Sequence, residues 1–305
     1  MKDSDNNTLY LQPKSTVLST EMQGILLAFL GVLIFSWTLP ASRLAAPEMG
    51  GLAVGVFRNL IGAAVAVAVL LINKEKFPER KHWKSIALAT MGTVGFGTSV
   101  AIAMKDVPSA HGAVVIAVIP LTTALLAVLR AKERPPLNFW IGIVVGCATV
   151  VTFLISQNGG SLKFHPADLW LLAALVFSAF TYVEGAKVTR HMPGWKAVSW
   201  ILVFTLPVIV PASIYLLVQN PHILSLTPTA WGGLLYVSLF SAYLGFFPWY
   251  HSFTLVGISR AGVIQLLQPL MTFVWGALFL GEHLTPAILI AGAVVLGSTV
   301  LCWKK

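Results

Sequence analysis

The side chains able to do chemistry in this sequence are few and stand apart among apolar neighbours. Gln265 and Gln268 are three positions apart, which places both amides on one face of a helix. Arg58 is the only charged residue between 50 and 73, and Glu184 stands near the end of the apolar run 168–186. His111 opens another run, and Tyr182, Tyr243, Trp37 and Trp275 lie deep in theirs. Thr98 and Ser99 follow Gly92, Gly95 and Gly97, and Pro120 and Pro269 stand mid-run. Two buried amides would offer donors and acceptors to a zwitterion or polar metabolite, or would hold helices together by hydrogen bonds. Arg58 would attract a substrate carboxylate, or pair internally with a carboxylate or with freed carbonyls. Glu184 is a candidate carrier of a coupling proton, although Lys187 and Arg190 follow it closely and suit an interfacial ion pair. His111 could titrate or act as a bonded bundle histidine.

Each proline removes an N–H and clashes with the carbonyl four residues back, here those of Ile116 and Gln265. Such kinks serve a cavity lining or packing alone. The three glycines before Thr98 serve the same space or only close helix approach. Thr98, Ser99, Tyr182, Tyr243 and Trp37 therefore join Arg58, Gln265 and Gln268 as candidate substrate-binding residues. The chain offers no His-Glu-x-x-His, no Cys/His set and no Gly-rich phosphate loop, so no catalytic residue, metal or cofactor is expected. Cys147 and Cys302 sit inside apolar runs and read as small packing residues.

These side chains must be held by something that tolerates very little charge. Of 305 residues 57% are hydrophobic and 10% charged, against about 25% charged in soluble domains; the mean hydropathy is +0.82. A soluble enzyme, a disordered tail and a disulfide-stapled domain are excluded. A hydrocarbon core about 30 Å thick needs roughly 20 apolar residues in helix. Runs of that kind cover 22–42, 50–73, 85–104, 107–129, 137–155, 168–186, 197–218, 231–253, 261–281 and 283–303. Strands would alternate polar and apolar residues, and these do not.

With the N-terminus cytoplasmic, 16 of the 20 Lys and Arg fall in inner segments and three outside, so N-in and C-in is expected. The first run is expected to be retained as a span. The net charge of +9 sits in these short segments and forms no stripe for nucleic acid. Trp249, Tyr250, Trp303 and Trp231 are expected in the interfacial aromatic belts.

The sequence is also duplicated. Pro120 stands 13 residues before Glu133 and Pro269 stands 13 before Glu282, a shift of 149. Phe35-Ser36 and Phe177-Ser178 align at a similar shift. Five spans per unit is odd, so the second copy enters the membrane inverted, as in secondary transporters with a midplane site and alternating access. The expected fold is an all-α integral membrane protein of ten transmembrane helices as two inverted five-helix repeats. A polar segment 1–21 precedes repeats at 22–156 and 168–303. Glu133 and Glu282 are expected to cap the helix that follows each of them, or to pair with nearby bases.

The stretch Gly257-Ile258-Ser259-Arg260-Ala261, then Gln268-Pro269-Leu270, then Leu280-Gly281-Glu282-His283-Leu284-Thr285 resembles the repeat signature of the drug/metabolite transporter superfamily, in its EamA-type members. A weaker copy, Ile119-Pro120-Leu121 and Ala131-Lys132-Glu133-Arg134-Pro135-Pro136, has Ala-Lys where Leu-Gly is usual. The resemblance spans 22–303. It implies export of small metabolites such as amino acids, or of drugs, across a bacterial inner membrane. The expected partners are a small-molecule substrate and the lipid bilayer, with no nucleic acid and no ATPase subunit. A channel or a non-transporting bundle is the rival, and a membrane-embedded enzyme a more distant one.

Overall fold

The computed structural model describes residues 19–157, 165–220, 223, 225–280 and 286–303, and among them there is no β-strand. In the first half lie α1 (Thr20–Phe35), α2 (Thr38–Met49), α3 (Gly51–Ile72), α4 (Trp83–Asp106), α5 (Ser109–Ile116), α6 (Ile119–Leu126) and α7 (Leu137–Gln157). In the second lie α8 (Ala167–Thr189), α9 (Gly194–Val203), α10 (Leu206–Gln219), α11 (Pro228–Leu235), α12 (Phe246–Val256), α13 (Ile258–Val263), α14 (Leu267–Leu280) and α15 (Pro286–Trp303).

Among the described residues, six stretches are long and apolar enough to cross a membrane: Thr20–Met49, Gly51–Ile72, Arg80–Asp106, His111–Ala131, Ala167–Thr189 and Pro228–Val256. A seventh counts if α9 and α10, bent by 52°, form one crossing. Leu137–Phe153 and Ile290–Trp303 are shorter apolar helices. The first stretch runs past the expected end at Ser42 to Met49. The segment 1–18, Glu282 and the junction at 281–285 lie outside the described residues.

Four of the helix breaks share a cause. Pro40, Pro120, Pro207 and Pro269 each fall within the first three residues of the helix that resumes: α2, α6, α10 and α14. A first-turn residue has no intrahelical partner for its N–H, so proline is tolerated there. Pro120 and Pro269 therefore restart helices and do not kink continuous ones, as the sequence suggested. Irregularity of another kind appears at Tyr236–Leu244, which is wound as a π-helix.

The outside of the bundle is apolar: Leu30, Leu125, Leu129, Val176, Ile214, Leu235 and Val300 are exposed. The inside depends on small residues that let backbones approach. Gly92 and Gly95 of α4 lie against α8, where a Cβ at Gly95 would come within 2.4 Å of the Phe177 ring. Gly142 of α7 meets Cys302 of α15 in the same way. The Cys302 thiol donates to Phe139 O and the Cys147 thiol to Ala117 O.

Ion pairs and caps tie the ends. The Arg130 guanidinium and Lys187 hold Glu184 from two sides at 2.6 and 3.0 Å, and Lys196 pairs with Glu75. Glu133 accepts from the N–H groups of Ile258 and Ser259 at 2.8 and 2.9 Å, and from the Ser259 hydroxyl. It thus caps α13, after the turn at Gly257 (φ +85°), and not the helix that follows it. At the other end Glu48 accepts from the Thr227 N–H and hydroxyl, and His111 meets Asp168 at 2.6 Å. Trp249 and Tyr250, expected at the interface, are fully buried. Trp249 packs on Phe35 and Tyr182, and the Tyr250 hydroxyl donates to Thr181 O.

Candidate functional site

The irregular backbone converges. Phe35 and Thr38 flank the α1–α2 break, Ser241 comes from the π segment, Gln265 from the 3-10 turn Ile264–Leu266, and Gln268 from the first turn of α14. With Arg58 of α3, Phe96 of α4, Tyr182 of α8 and Phe246 of α12 they enclose one constricted cavity. Non-regular backbone at membrane depth is tolerated where protein or a cavity takes up its polar groups, and π turns recur at functional sites. The space open to a water's centre is about 10 Å³, about what a single water needs. An organic solute enters only if the lining parts.

The freed groups are taken up by side chains from the facing half. Pro40 cannot donate to Ser36 O; the Thr272 hydroxyl stands 3.0 Å from it and shares its hydrogen with Gln268 O at 3.1 Å. The Gln268 amide donates to Phe35 O at 3.3 Å. That bond fixes the Gln268 amide, because only its nitrogen can donate to a carbonyl. Its Oε1 must then accept from Gln265 Nε2 (3.2 Å), which also donates to the Tyr182 hydroxyl at 3.0 Å. Gln265 Oε1 is left buried with no partner.

Arg58 is 3% exposed. Its Nη2 donates to Ser241 Oγ at 3.2 Å, and Ser241 shares a 2.7 Å bond with Thr38. Its Nη1 is buried and unpartnered. Arg58 takes part in none of the ion pairs among the described residues, and the lining holds no Asp or Glu. The guanidinium carbon stands 5.8 Å from the Phe96 ring centroid, a cation–π contact worth roughly 0.5–2 kcal/mol. Gly97 makes the room, since a Cβ there would fall 2.9 Å from Nη1.

The cavity thus gathers Arg58, Tyr182, Gln265 and Gln268 from the residues singled out in the sequence. Others stand elsewhere. The Tyr243 hydroxyl is bonded to Ser199 at 2.8 Å. Trp37 packs between Tyr236 and Trp275, outside the lining. Thr98 abuts Gly55, and Ser99 is buried on α4 without lining the cavity. Glu184 is held by Arg130 and Lys187 and His111 is hydrogen-bonded to Asp168, both away from it. Pro269 sets the Gln268 turn, whereas Pro120 serves a break lined by Ile116 and Ile119. Sequence reading missed Thr38, Ser241 and the three phenylalanines. The signal for Thr38 was present, because Pro40 marks a break that Pro120 and Pro269 had taught one to look for.

Fold and site together define a multi-pass helical membrane protein that encloses a polar, cationic site at depth. The chain belongs to the EamA-like transporter family, whose model matches residues 22–155 and 165–303. It is 36% identical over 277 residues to the uncharacterized transporter YdeK of Bacillus subtilis (strain 168), covering 88% of this chain and 92% of that one. To YwfM of the same organism, also an uncharacterized transporter, it is 27% identical over 264 residues, covering 85% and 87%. A solved crystal structure, 20% identical, shares the fold with a TM-score of 0.72 over 92% of this chain and 98% of that one. Family and relatives point to a transporter and away from an enzyme.

Proposed function

We propose that the protein is a secondary transporter that exports small organic metabolites across the cytoplasmic membrane by alternating access. The observation that carries this reading is the buried cluster Arg58–Tyr182–Gln265. It has unpaired polar atoms, is built from both halves of the chain, and is enclosed where three irregular backbone segments meet. Leaving such atoms unsatisfied costs about 1–3 kcal/mol each, more when charged, a cost that a solute bound there would offset.

Ten crossings as two inverted repeats, with both termini cytoplasmic, fit this mechanism. The supporting observations are helices falling on the ten apolar runs, matched prolines at the α6 and α14 starts, and the excess of Lys and Arg in alternate segments. Glu133 of the first half gripping α13 of the second, and Glu48 gripping Thr227 at the opposite end, are contacts that rocking would break and remake in turn. Export, amino acids or drugs as cargo, and the inner membrane are the family's implication, with small solute and lipid as the only partners required. Channel behaviour is the rival.

Counterflow decides between the two. Proteoliposomes preloaded with one unlabelled candidate from a panel of amino acids and organic acids are diluted into a trace of the labelled compound. Transient accumulation above equilibrium is expected for at least one compound; plain equilibration without trans-stimulation throughout would establish a pore.

A further inference from the structure

We propose that the Arg58 cavity selects organic anions, namely a carboxylate on an aromatic or apolar body with one neutral hydrogen-bond donor beside it, and that the solute's own charge drives its exit. The proposal rests on the transporter reading and narrows its substrate class.

The first observation is electrostatic. A buried guanidinium needs an anion, because an uncompensated charge at low dielectric is strongly unfavourable, and the described residues give Arg58 none. Its free Nη1 edge suits the planar, two-oxygen geometry of a carboxylate. A second donor stands close by: the Tyr182 oxygen already accepts from Gln265, and its own hydrogen has no acceptor among the described residues. The second observation is the unpartnered Gln265 Oε1, whose identity is fixed by the Phe35–Gln268–Gln265 chain of bonds. An amide oxygen has two lone pairs, so it suits one or two O–H or N–H donors. It does not satisfy an ammonium, which brings three N–H groups and a charge to a site whose only formal charge is positive. The rings of Phe35, Phe96 and Phe246 complete an apolar wall. A hydroxy acid fits these groups better than the corresponding amino acid.

The third observation concerns energy coupling. The lining holds no Asp, Glu or His to carry a coupling proton; Glu184, bound to Arg130 and Lys187, and His111, bound to Asp168, stand away from it. With Arg58 fixed in the protein, the charge that crosses the field is the solute's. A negative-inside potential then expels a monoanion, sustaining a gradient of about fiftyfold for each 100 mV.

Three probes that share a phenyl ring and chain separate the possibilities: 3-phenyllactate (anion), phenylalanine (zwitterion) and phenylalaninamide (cation). Binding to the purified full chain is followed by tryptophan fluorescence and thermal stabilisation. Phenyllactate is expected to bind at least tenfold more tightly than phenylalanine and at least 100-fold more tightly than the amide. Arg58→Gln should weaken the anion at least 30-fold, and Arg58→Lys, which keeps the charge without the planar edge, by an intermediate factor at an unchanged melting temperature. Phenylalanine binding as well as phenyllactate, no phenyllactate binding, or an anion affinity indifferent to Arg58→Gln would each overturn the proposal.

In proteoliposomes with a potassium diffusion potential, phenyllactate release should rise with inside-negative potential and phenylalanine flux should not. A potential-independent anion flux would overturn the coupling. Charge-ordered binding without any counterflow would instead remove the transporter reading and leave the anion site standing, whereas counterflow of phenylalanine alone would do the reverse.

Discussion

The break between α5 and α6 and the break between α13 and α14 stand 149 residues apart, and each is followed by a proline in the next first turn. At the first, the matching positions are Ile116 and Ile119, both buried, and the carbonyl of Ala117 accepts from the Cys147 thiol at 3.7 Å. At the second, the same positions hold Gln265 and Gln268, which reach Tyr182 and Phe35 across the bundle. Backbone geometry is therefore shared between the copies while the polar chemistry belongs to one. Duplication supplies two breaks, and divergence makes one of them polar. The first copy contributes in another way, because its Glu133 holds the start of α13.

Making the second break resemble the first should have the largest effect. Gln265→Leu with Gln268→Leu is expected to lower transport at least 100-fold in counterflow, with the protein still inserted and monodisperse; unchanged kinetics would place the site elsewhere. Each amide replaced singly should account for part of the loss, since a bond to a buried partner is worth about 1–3 kcal/mol when the partner is stranded.

The prolines come next. Pro269→Ala allows the 3-10 turn to close and should slow transport about tenfold, whereas Pro120→Ala should change it less than threefold. Equal effects would mean that both breaks act only as hinges. Glu133→Gln removes the charge from three bonds at α13 and should cost about 1–2 kcal/mol, read as a lower melting temperature. An unmoved melting temperature would show the cap to be incidental. The smallest effect is expected of Cys147→Ala, below about 1 kcal/mol, because that thiol is a poor donor at a long distance; a larger one would make the first break polar after all.

Helix positions were legible from apolar run length, and the breaks at 117–118 and 264–266 from their prolines. Gln265 and Gln268 were legible from helical spacing and Arg58 from its isolation. The partners were not, because which helices adjoin is a tertiary fact: Ser241 reaches Thr38 only through a π turn that no residue pattern announces. Tyr243 looked equivalent to Tyr182 by depth, yet its hydroxyl faces Ser199 on α9. Trp249 and Tyr250 resembled belt residues because they lie near a span end, but α12 turns them against Phe35 and α8. For Glu184 the pair with nearby Lys187 was legible from spacing, but the Arg130 partner was not, since it is far away in sequence.

Alternating access requires the Arg58 cavity to open to one face at a time. In a variant lacking Cys147 and Cys302, Phe96→Cys places a thiol in the lining for labelling by a membrane-impermeant reagent from either side. Labelling from both faces in turn is expected. Cross-linking Glu75→Cys to Lys196→Cys should abolish labelling from the inside and raise it from the outside. Labelling confined to one face, or an outside rate indifferent to the cross-link, would contradict it.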